Sequence, residues 1–269
     1  QPPQWIPTTD VKDEQGRPKV TYQGQEGVEV SIDEDNKHHI LVGGMEHAVW
    51  ADEIEPMQQV GFHWQNYVKA FEMMHFWRNL KNTLFICFTT VVGTVLSSAL
   101  VAYGFARVPF PFRDSLFLVV LATMMLPYQV TLIPLFALYS KLGWNGTFMP
   151  LVVPYFFGVP FYIFLLRQFF MGLPRELDEA ALLDGATHAT IFWRIIMPLS
   201  GPVLATVGVF SFIYNWRDFL GPLLYLNDQN KQTLELGLNS YKSLALDHWN
   251  EIMAASVLVM IPLLVIFLF

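Results

Sequence analysis

Charged residues are scarce in this chain of 269 residues, where Asp, Glu, Lys and Arg together make up 14%. Because soluble domains carry about 25% charged residues, this composition argues against an ordinary soluble domain. The 53% of hydrophobic residues indicates a membrane protein instead. The formal net charge is −7, so no basic face is indicated and we expect no nucleic-acid partner.

Cysteine is almost absent, and several enzyme motifs are missing. The single Cys87 excludes an intrachain disulfide. We find no phosphate-binding loop of the GxxxxGK[ST] type, no hydrolytic nucleophile motif and no convergent set of His, Asp or Glu in the apolar runs. We therefore expect that the chain is not an enzyme and binds neither cofactor nor metal. Four histidines match no zinc pattern and are expected to be solvated: His38, His39, His47 and His63.

Five charge-free apolar runs reach or approach the length of about 20 residues that a membrane-spanning helix needs. They cover residues 82–106, 115–140, 142–166, 195–216 and 252–269. Prolines recur within them, which is typical of helices that surround a pathway rather than of a passive anchor. The sequence thus predicts an all-α transmembrane helix bundle. Lys and Arg are spread evenly over the two sides, so their distribution does not decide the orientation.

The N-terminal segment has a different character. It is acidic, and its short β-prone stretches KVTYQG, VEVSI and HHILVGG are separated by glycines. We predict a polar, β-rich segment over residues 1–63 and a transmembrane domain over residues 64–269. The chain begins with Gln and ends inside an apolar run, so we expect it to belong to a longer chain.

The connection over residues 172–199 carries strong helix start and stop signals. Pro174 and the acidic residues after it favour a helix N-terminus, and Gly185 favours its end. A second short helix is predicted from Thr187 to Met197, with Pro198 ending it. From spacing alone, this helix–turn–helix is either a docking element or an ordinary amphipathic connector on the membrane surface.

The same connection resembles the EAA loop of ABC importer permeases. Glu179-Ala180-Ala181, three residues, Gly185, nine residues, Ile195, one residue and Met197-Pro198 follow that family's pattern, with Met197 in place of Leu. The stretches NTLFICFTTVVGTVLSSALVAYGFAR, MMLPYQVTLIPLF, LRQFFMGLPRELDEAALLDGA and YNWRDFLGPL are similar to the carbohydrate-importer branch, of the maltose-permease-G-like type. The resemblance covers the chain from about residue 64 to its end.

The resemblance implies that residues 172–199 are a cytoplasmic coupling loop, whose helix docks in a groove of an ATP-hydrolysing subunit and transmits that subunit's closure. Small side chains would permit close approach, Gly185 a tight backbone turn, and Glu179 would supply a hydrogen-bond acceptor. The implied coupling residues are Glu179, Ala180, Ala181, Asp184, Gly185, Ile195 and Pro198.

The resemblance also implies a topology in a bacterial or archaeal cell (inner) membrane. Residues 172–199 would be cytoplasmic and residues 1–81 extracytoplasmic. Five spans are visible, and six are expected in the full chain. Residues 8–63 then look like an insertion, either a contact for a solute-delivering protein or a surface hairpin without such a role.

The implied assembly has several further members. A second homologous permease subunit would form the pathway with this chain, two ATP-binding ABC subunits would hold ATP and magnesium, and an extracytoplasmic solute-binding protein would deliver a sugar or sugar-like solute. Membrane lipid would surround the bundle. Amino acids, polyamines and glycerol phosphate remain alternative solutes. An ion-coupled secondary transporter is a further alternative, although it would show internal repeats with paired broken helices and would not need the loop.

The solute pathway has its own candidates. Asn215 and Trp216 combine an amide with a flat apolar ring, a combination that suits sugars. Arg217 and Asp218 interrupt the fourth run and either line the path or pair with each other or with a neighbouring subunit. Weaker candidates are Tyr128, Gln129 and Tyr155. This chain either contacts the solute or only seals the cavity beside a partner that holds most contacts.

Overall fold

The computed structural model describes residues 8–33, 37–60, 64–244 and 249–268. The chain divides into two compact units, Gln1–Val68 and Lys69–Phe269. Antiparallel strands dominate the first unit and helices the second. The expected fold class is confirmed at this level, as a mostly helical chain with apolar helices and a small sheet. The functional domain boundary after residue 63 stays a prediction.

In its described residues, the first unit contains two antiparallel sheets. A two-stranded sheet pairs β1 with β7, and a five-stranded sheet has the order β5-β4-β3-β2-β6. The strands are β1 (Thr8–Asp10), β2 (Lys19–Tyr22), β3 (Gln25–Ile32), β4 (His38–Val42), β5 (Met45–Val49), β6 (Ile54–Pro56) and β7 (Gln58–Val60).

One face of the larger sheet supplies a small core. Ile40 and Val42 of β4 are buried while Leu41 between them is exposed, as the two-residue period of a strand requires. They pack with Val20 and Val49. Gly43 and Gly44 join β4 to β5 with φ values of 59° and 89°, a backbone that a tight hairpin turn needs and that glycine adopts readily.

From Trp64 onwards the described chain is helical, so that α1 begins in the first unit and the later helices form the second unit. The helices are α1 (Trp64–Met73), α2 (Phe76–Arg107), α3 (Arg113–Thr123), α4 (Tyr128–Lys141), α5 (Met149–Val152), α6 (Pro160–Gly172), α7 (Glu176–Leu183), α8 (His188–Ile191), α9 (Met197–Leu199), α10 (Gly201–Trp216), α11 (Leu220–Tyr225), α12 (Leu234–Leu244) and α13 (Trp249–Leu268). A 3₁₀ turn, Val153–Phe157, connects α5 to α6, and a π-helical segment, Phe192–Ile196, connects α8 to α9.

The long helix α2 is the centre of this unit. Its main neighbours are α6, α10 and the 3₁₀ turn before α6. Small side chains on α2, including Ala99, Ala102 and Ala106, are buried against α6 and against the segment from Ile191 to Ile196. Small residues let helices approach closely where both partners are apolar, which explains why α2 accommodates several neighbours at once.

Among the described residues, three helical segments are long and apolar enough to cross a membrane: Phe76–Arg107, Met149–Gly172 and Trp249–Ile266. Two bent pairs bring the number to five if each pair is one span. Arg113–Thr123 and Tyr128–Lys141 meet at 93°, and His188–Leu199 and Gly201–Trp216 meet at 79°.

Two boundaries predicted from the sequence are wrong. The run over residues 142–166 is not helical from its beginning, because Gly143 and Gly146 adopt positive φ and the helix starts at Met149. Pro198 does not end the second short helix, which continues to Leu199 before the break at Ser200. The π-helical segment Phe192–Ile196 lies directly before α9, and the Met197 N–H donates to the Phe192 carbonyl. The regular i to i−4 bonding is therefore already interrupted before Pro198, and the missing N–H of Pro198 does not end the helix.

Candidate functional site

The helix α7 presents most of its surface to solvent. Glu176, Leu177, Glu179, Ala180, Leu182 and Leu183 are exposed, and we call these residues the outer face of α7. Leu183 is 90% exposed. Leu177 and Leu182 on the same short helix are also exposed, at 38% and 46%. Glu179 lies on this face, where its carboxylate can accept a hydrogen bond from a partner.

The opposite side of α7 packs on the bundle. Ala181 and, beyond the turn, Ala186 contact the core cluster that contains Phe170 and Phe192. The two alanines of the predicted motif therefore lie in different environments, since Ala180 is exposed and Ala181 is half-buried. The loop therefore packs on the bundle through one side of α7, and the outer face of α7 is exposed to solvent.

The turn after α7 has the geometry expected of a glycine stop. Asp184 donates its N–H to the Ala180 carbonyl, Gly185 donates to Leu182 at 3.0 Å, and Ala186 donates to Ala181 at 2.9 Å. This is the Schellman pattern, which requires a left-handed residue at its centre. Gly185 supplies it with φ of 82°, and no heavy atom lies within 4 Å of where its Cβ would be.

A capped second helix follows the turn. The Thr187 hydroxyl accepts the N–H of Thr190 at 3.3 Å, as an N-cap side chain does. Ile195 packs against the core cluster from a half-buried position. Pro198 is exposed one turn before the sharp bend into α10.

A contact that the sequence did not predict is made by Arg107, which connects α2 to this loop. The Arg107 side chain, at the end of α2, is 3% exposed. Its guanidinium donates to the carbonyls of Phe170 and Leu173 and forms an ion pair with Asp178. In the sequence, Arg107 is recognisable only as an arginine that ends an apolar run, because its acceptors are 63 to 71 positions away.

Asn215 and Trp216 are both buried within the described part of the chain. The Asn215 side-chain nitrogen donates to the Ser211 carbonyl at 2.8 Å. Trp216 stacks on Phe212 with ring centroids 5.5 Å apart and belongs to the cluster that includes Leu234. Their roles in a solute path stay predictions, and the structure gives Trp216 a packing role as well.

Arg217 and Asp218 do not pair with each other in the described residues. Asp218 accepts the N–H of Gly221 at 3.1 Å, at the beginning of α11, while Arg217 is exposed. Tyr128 and Gln129 are exposed in the first turn of α4, and Tyr155 is half-buried in the turn before α6. These candidates therefore come from separate elements, and their joint role in a path stays a prediction.

The histidines of the first unit have acidic neighbours. The His38 Nδ1 lies 2.8 Å from the Glu29 Oε1, and the His39 Nδ1 lies 2.9 Å from the Glu46 Oε1. Over residues 8–33, 37–60, 64–244 and 249–268, no group of three or more His, Cys, Asp or Glu is placed to hold a metal ion. His63 lies outside the described residues.

Several curated permeases are similar to this chain. The chain is 34% identical, over 72% of its length and 69% of the relative's, to the arabinooligosaccharides transport system permease protein AraQ of Halalkalibacterium halodurans. It is 37% identical, over 70% of its length and 68% of the relative's, to the sn-glycerol-3-phosphate transport system permease protein UgpE of Yersinia pestis. It is 33% identical to the probable ABC transporter permease protein YurM of Bacillus subtilis and spans 63% of that relative's length.

A solved structure shares the fold. A chain in the crystal structure of a bacterial ABC transporter involved in the import of the acidic polysaccharide alginate superposes with a TM-score of 0.67. The two chains are 22% identical, and the match covers 77% of this chain and 78% of the other. The family model for binding-protein-dependent transport system inner membrane components matches residues 78–269. The chain, whose loop over residues 172–199 packs on the bundle and exposes the outer face of α7, belongs to this family of ABC transporter permeases.

Proposed function

We propose that this chain is a transmembrane permease subunit of an ATP-driven importer, and that it forms, with a second homologous permease subunit, the path for a sugar or sugar-like solute. Two ATP-binding subunits, which hold ATP and magnesium, drive the cycle, and an extracytoplasmic solute-binding protein delivers the solute. The chain itself acts as a conduit and a coupling element and catalyses no reaction.

The observation that carries this proposal is the loop over residues 172–199. Its helix α7 has an open outer face with Glu179, Ala180 and Leu183, and a supported inner side with Ala181. An amphipathic helix of this kind fits into a groove of a partner. A rigid support beneath it lets the partner's movement reach the bundle, and coupling requires such a contact to differ between two states.

The orientation follows from the same loop. If α7 meets the ATP-binding subunits, residues 172–199 lie on the cytoplasmic side of a bacterial or archaeal cell membrane. Residues 1–81 then lie outside, where the sheet of the first unit is an extracytoplasmic insertion. The three long apolar helices and the two bent pairs act as five spans, with lipid around them and a sixth span in the full chain.

A sugar is the proposed solute because the arabinooligosaccharide permease AraQ is among the relatives. Glycerol phosphate is the second candidate, favoured by the similarity to UgpE. Amino acids and polyamines remain in the panel to be tested. An ion-coupled secondary transporter is disfavoured because the family of binding-protein-dependent permeases matches residues 78–269.

The test is reconstitution of the whole assembly in vesicles, with Gly185 replaced by valine. Valine at φ of 82° adds a backbone cost of about 1 kcal/mol or more and a branched side chain at the turn of the loop. We expect the bundle to assemble, with ATPase subunits that bind weakly or hydrolyse ATP without response to solute. Glu179→Ala acts in the same direction and more mildly.

A matched control is Gly143→Val. Gly143 also has a positive φ, 70°, with no heavy atom within 4 Å of its Cβ position, so it carries a similar backbone cost away from the loop. Stimulated hydrolysis is measured with sugars, glycerol phosphate, amino acids and polyamines, each with the binding protein. Normal association and normal stimulation in Gly185→Val would overturn the coupling function.

A further inference from the structure

Arg107 spans the joint between a membrane helix and the coupling helix. α6 ends at Gly172 and α7 begins at Glu176. On the α6 side, the Arg107 Nε donates to the Phe170 carbonyl at 3.0 Å and its Nη2 donates to the Leu173 carbonyl at 2.7 Å. On the α7 side, its Nη1 lies 3.1 Å from the Asp178 carboxylate. One side chain of α2 thus holds both ends of the joint.

The electrostatics of the two helix ends suit this arrangement. The Phe170 carbonyl near the C-terminus of α6 already accepts the N–H of Leu173 at 3.3 Å. Arg107 adds a side-chain donor to this carbonyl and donates to the Leu173 carbonyl beyond the helix end. A cation at the end of α6 and the Asp178 carboxylate in the first turn of α7 both oppose the local helix dipole charge. The planar guanidinium fork fixes the directions of all these bonds, which an ammonium group cannot do.

The Arg107 side chain is buried, so its guanidinium needs hydrogen-bonding partners within the protein. A guanidinium that is 3% exposed is costly unless charged and polar acceptors surround it. The other Asp178 oxygen, Oδ1, is buried and has no hydrogen-bond partner among the described residues. Without Arg107, the Asp178 carboxylate and the Leu173 carbonyl would lose this donor, and the Phe170 carbonyl would keep only the N–H of Leu173. The position of α7 on the bundle is therefore sensitive to this single side chain.

A second contact from α2 holds the other half of the loop. Tyr103 lies one turn before Arg107, and its hydroxyl is 3.3 Å from the His188 Nδ1. Its ring lies 5.3 Å from the ring of Phe192. Since Arg107 holds α7 and Tyr103 holds α8 and the π-helical segment, the last two turns of α2 contact both helices of the loop.

We propose that the end of α2, through Arg107 and Tyr103, is the route by which displacement of the coupling loop reaches the bundle, with Arg107 as the positioning residue for α7. This rests on the proposed function of the loop and adds the element that it moves. α6 and α10 flank the loop in sequence. α2, which packs on both of them, makes their displacement concerted because all three share one core with the loop.

The test compares Arg107→Gln, Arg107→Lys and Asp178→Asn in the complete reconstituted assembly. The outer face of α7 is unchanged, so we expect ATPase subunits to co-purify at the wild-type ratio. The ratio of solute-stimulated to basal hydrolysis should fall by between about twofold and about thirtyfold in Arg107→Gln, the range for coupling changes through packed networks. Arg107→Lys should recover part of the loss. The ratio measured for Asp178→Asn should lie between the ratios for wild type and Arg107→Gln.

Arg113→Gln is the matched control. Arg113 carries the same charge six residues later, and its guanidinium meets the neighbouring Asp114 at 3.3 Å. We expect it to leave the stimulation ratio unchanged. If Arg107→Gln does not assemble, Asp178→Asn decides, because it keeps the bonds to the Phe170 and Leu173 carbonyls and changes only the contact with α7.

The outcomes separate this inference from the proposed function. An unchanged ratio in both Arg107→Gln and Asp178→Asn, with Gly185→Val uncoupled, overturns the role of α2 and leaves the coupling loop intact. A lower yield with an unchanged ratio per assembled complex also overturns it, since that is the result of a purely structural role. A normal Gly185→Val variant overturns the proposed function itself.

Discussion

Asn215 and Trp216, at the end of α10, make different contacts, so substitutions at the two positions are expected to have different effects. Trp216 is 3% exposed, stacks on Phe212 and packs in a cluster with Leu238 of α12. Asn215 is also buried, but its amide contributes one bond to the Ser211 carbonyl of its own helix. Trp216 therefore supports the bundle, while Asn215 is the cleaner probe of a solute path.

We predict that Trp216→Ala destabilises the bundle and that Asn215→Ala lowers transport without doing so. Removing a buried tryptophan costs about 3–5 kcal/mol, so the melting temperature of the purified complex should fall clearly. Asn215→Ala should lower solute uptake by reconstituted vesicles at an unchanged melting temperature. Tyr214→Ala, an exposed aromatic in the same turn, is the stability control. Unchanged uptake in Asn215→Ala would move the solute contacts to the partner permease.

At the residue scale, features that depend on neighbouring residues could be predicted from the sequence, whereas contacts between distant residues could not. Gly185 follows a helix with a clear periodic face, so its left-handed stop could be predicted, and its φ of 82° confirms it. Arg107 is a flanking charge in the sequence. Its acceptors on α6 and α7 come together only when the bundle packs, so no local pattern predicts its role.

At the element scale, apolar length predicted where helices occur, and turn chemistry decided where they begin. Asn145-Gly146 lies inside the third apolar run, and such a pair favours a turn. The structure has that turn, with the N–H of Gly146 donating to the Tyr225 carbonyl at 2.7 Å. Pro127 likewise precedes α4, at the 93° bend between α3 and α4. Composition predicted the apolar length, the local Asn-Gly and Pro signals mark the positions of the breaks, and the angle of each bend was not predictable from them.

The sheet of the first unit has a core of its own. Val20, Ile40, Val42 and Val49 form a buried cluster among the described residues. The short β-prone stretches separated by glycines made this β-rich segment recognisable from the sequence. Strand order was beyond that pattern, because β2 pairs with both β3 and β6 over very different sequence separations.

We predict that Ile40→Ala unfolds this sheet locally and leaves the helical unit folded. Loss of a fully buried isoleucine costs about 2–5 kcal/mol, a large share of what so small a core supplies. Ile32→Ala is the matched control, since Ile32 is exposed on β3 of the same sheet. Hydrogen exchange of the purified complex should show faster exchange in β2 to β5 of Ile40→Ala only. Equal exchange in the two variants would contradict the small-core interpretation.

At the scale of the whole molecule, the family was predictable from the motif in residues 172–199 together with the similar stretches around it, whereas topology was not predictable from charge. Lys and Arg are distributed too evenly to orient the bundle. The orientation therefore depends on the coupling loop, and one incorrect assignment there would invert every segment. A direct measurement of sidedness tests the complete architecture at once.

Single introduced cysteines provide that measurement, because the chain's only cysteine, Cys87, is buried. Leu183 and Met45 are 90% and 70% exposed, so Leu183→Cys reports on the coupling loop and Met45→Cys on the sheet. With a membrane-impermeant maleimide, we expect Met45→Cys to react in right-side-out vesicles and Leu183→Cys in inverted vesicles only. Co-expressed ATPase subunits should protect Leu183→Cys and not Met45→Cys, since α7 offers the docking face. Reaction of Leu183→Cys from the outside would invert the topology. Reaction from the inside without protection would retain the topology and contradict docking at α7.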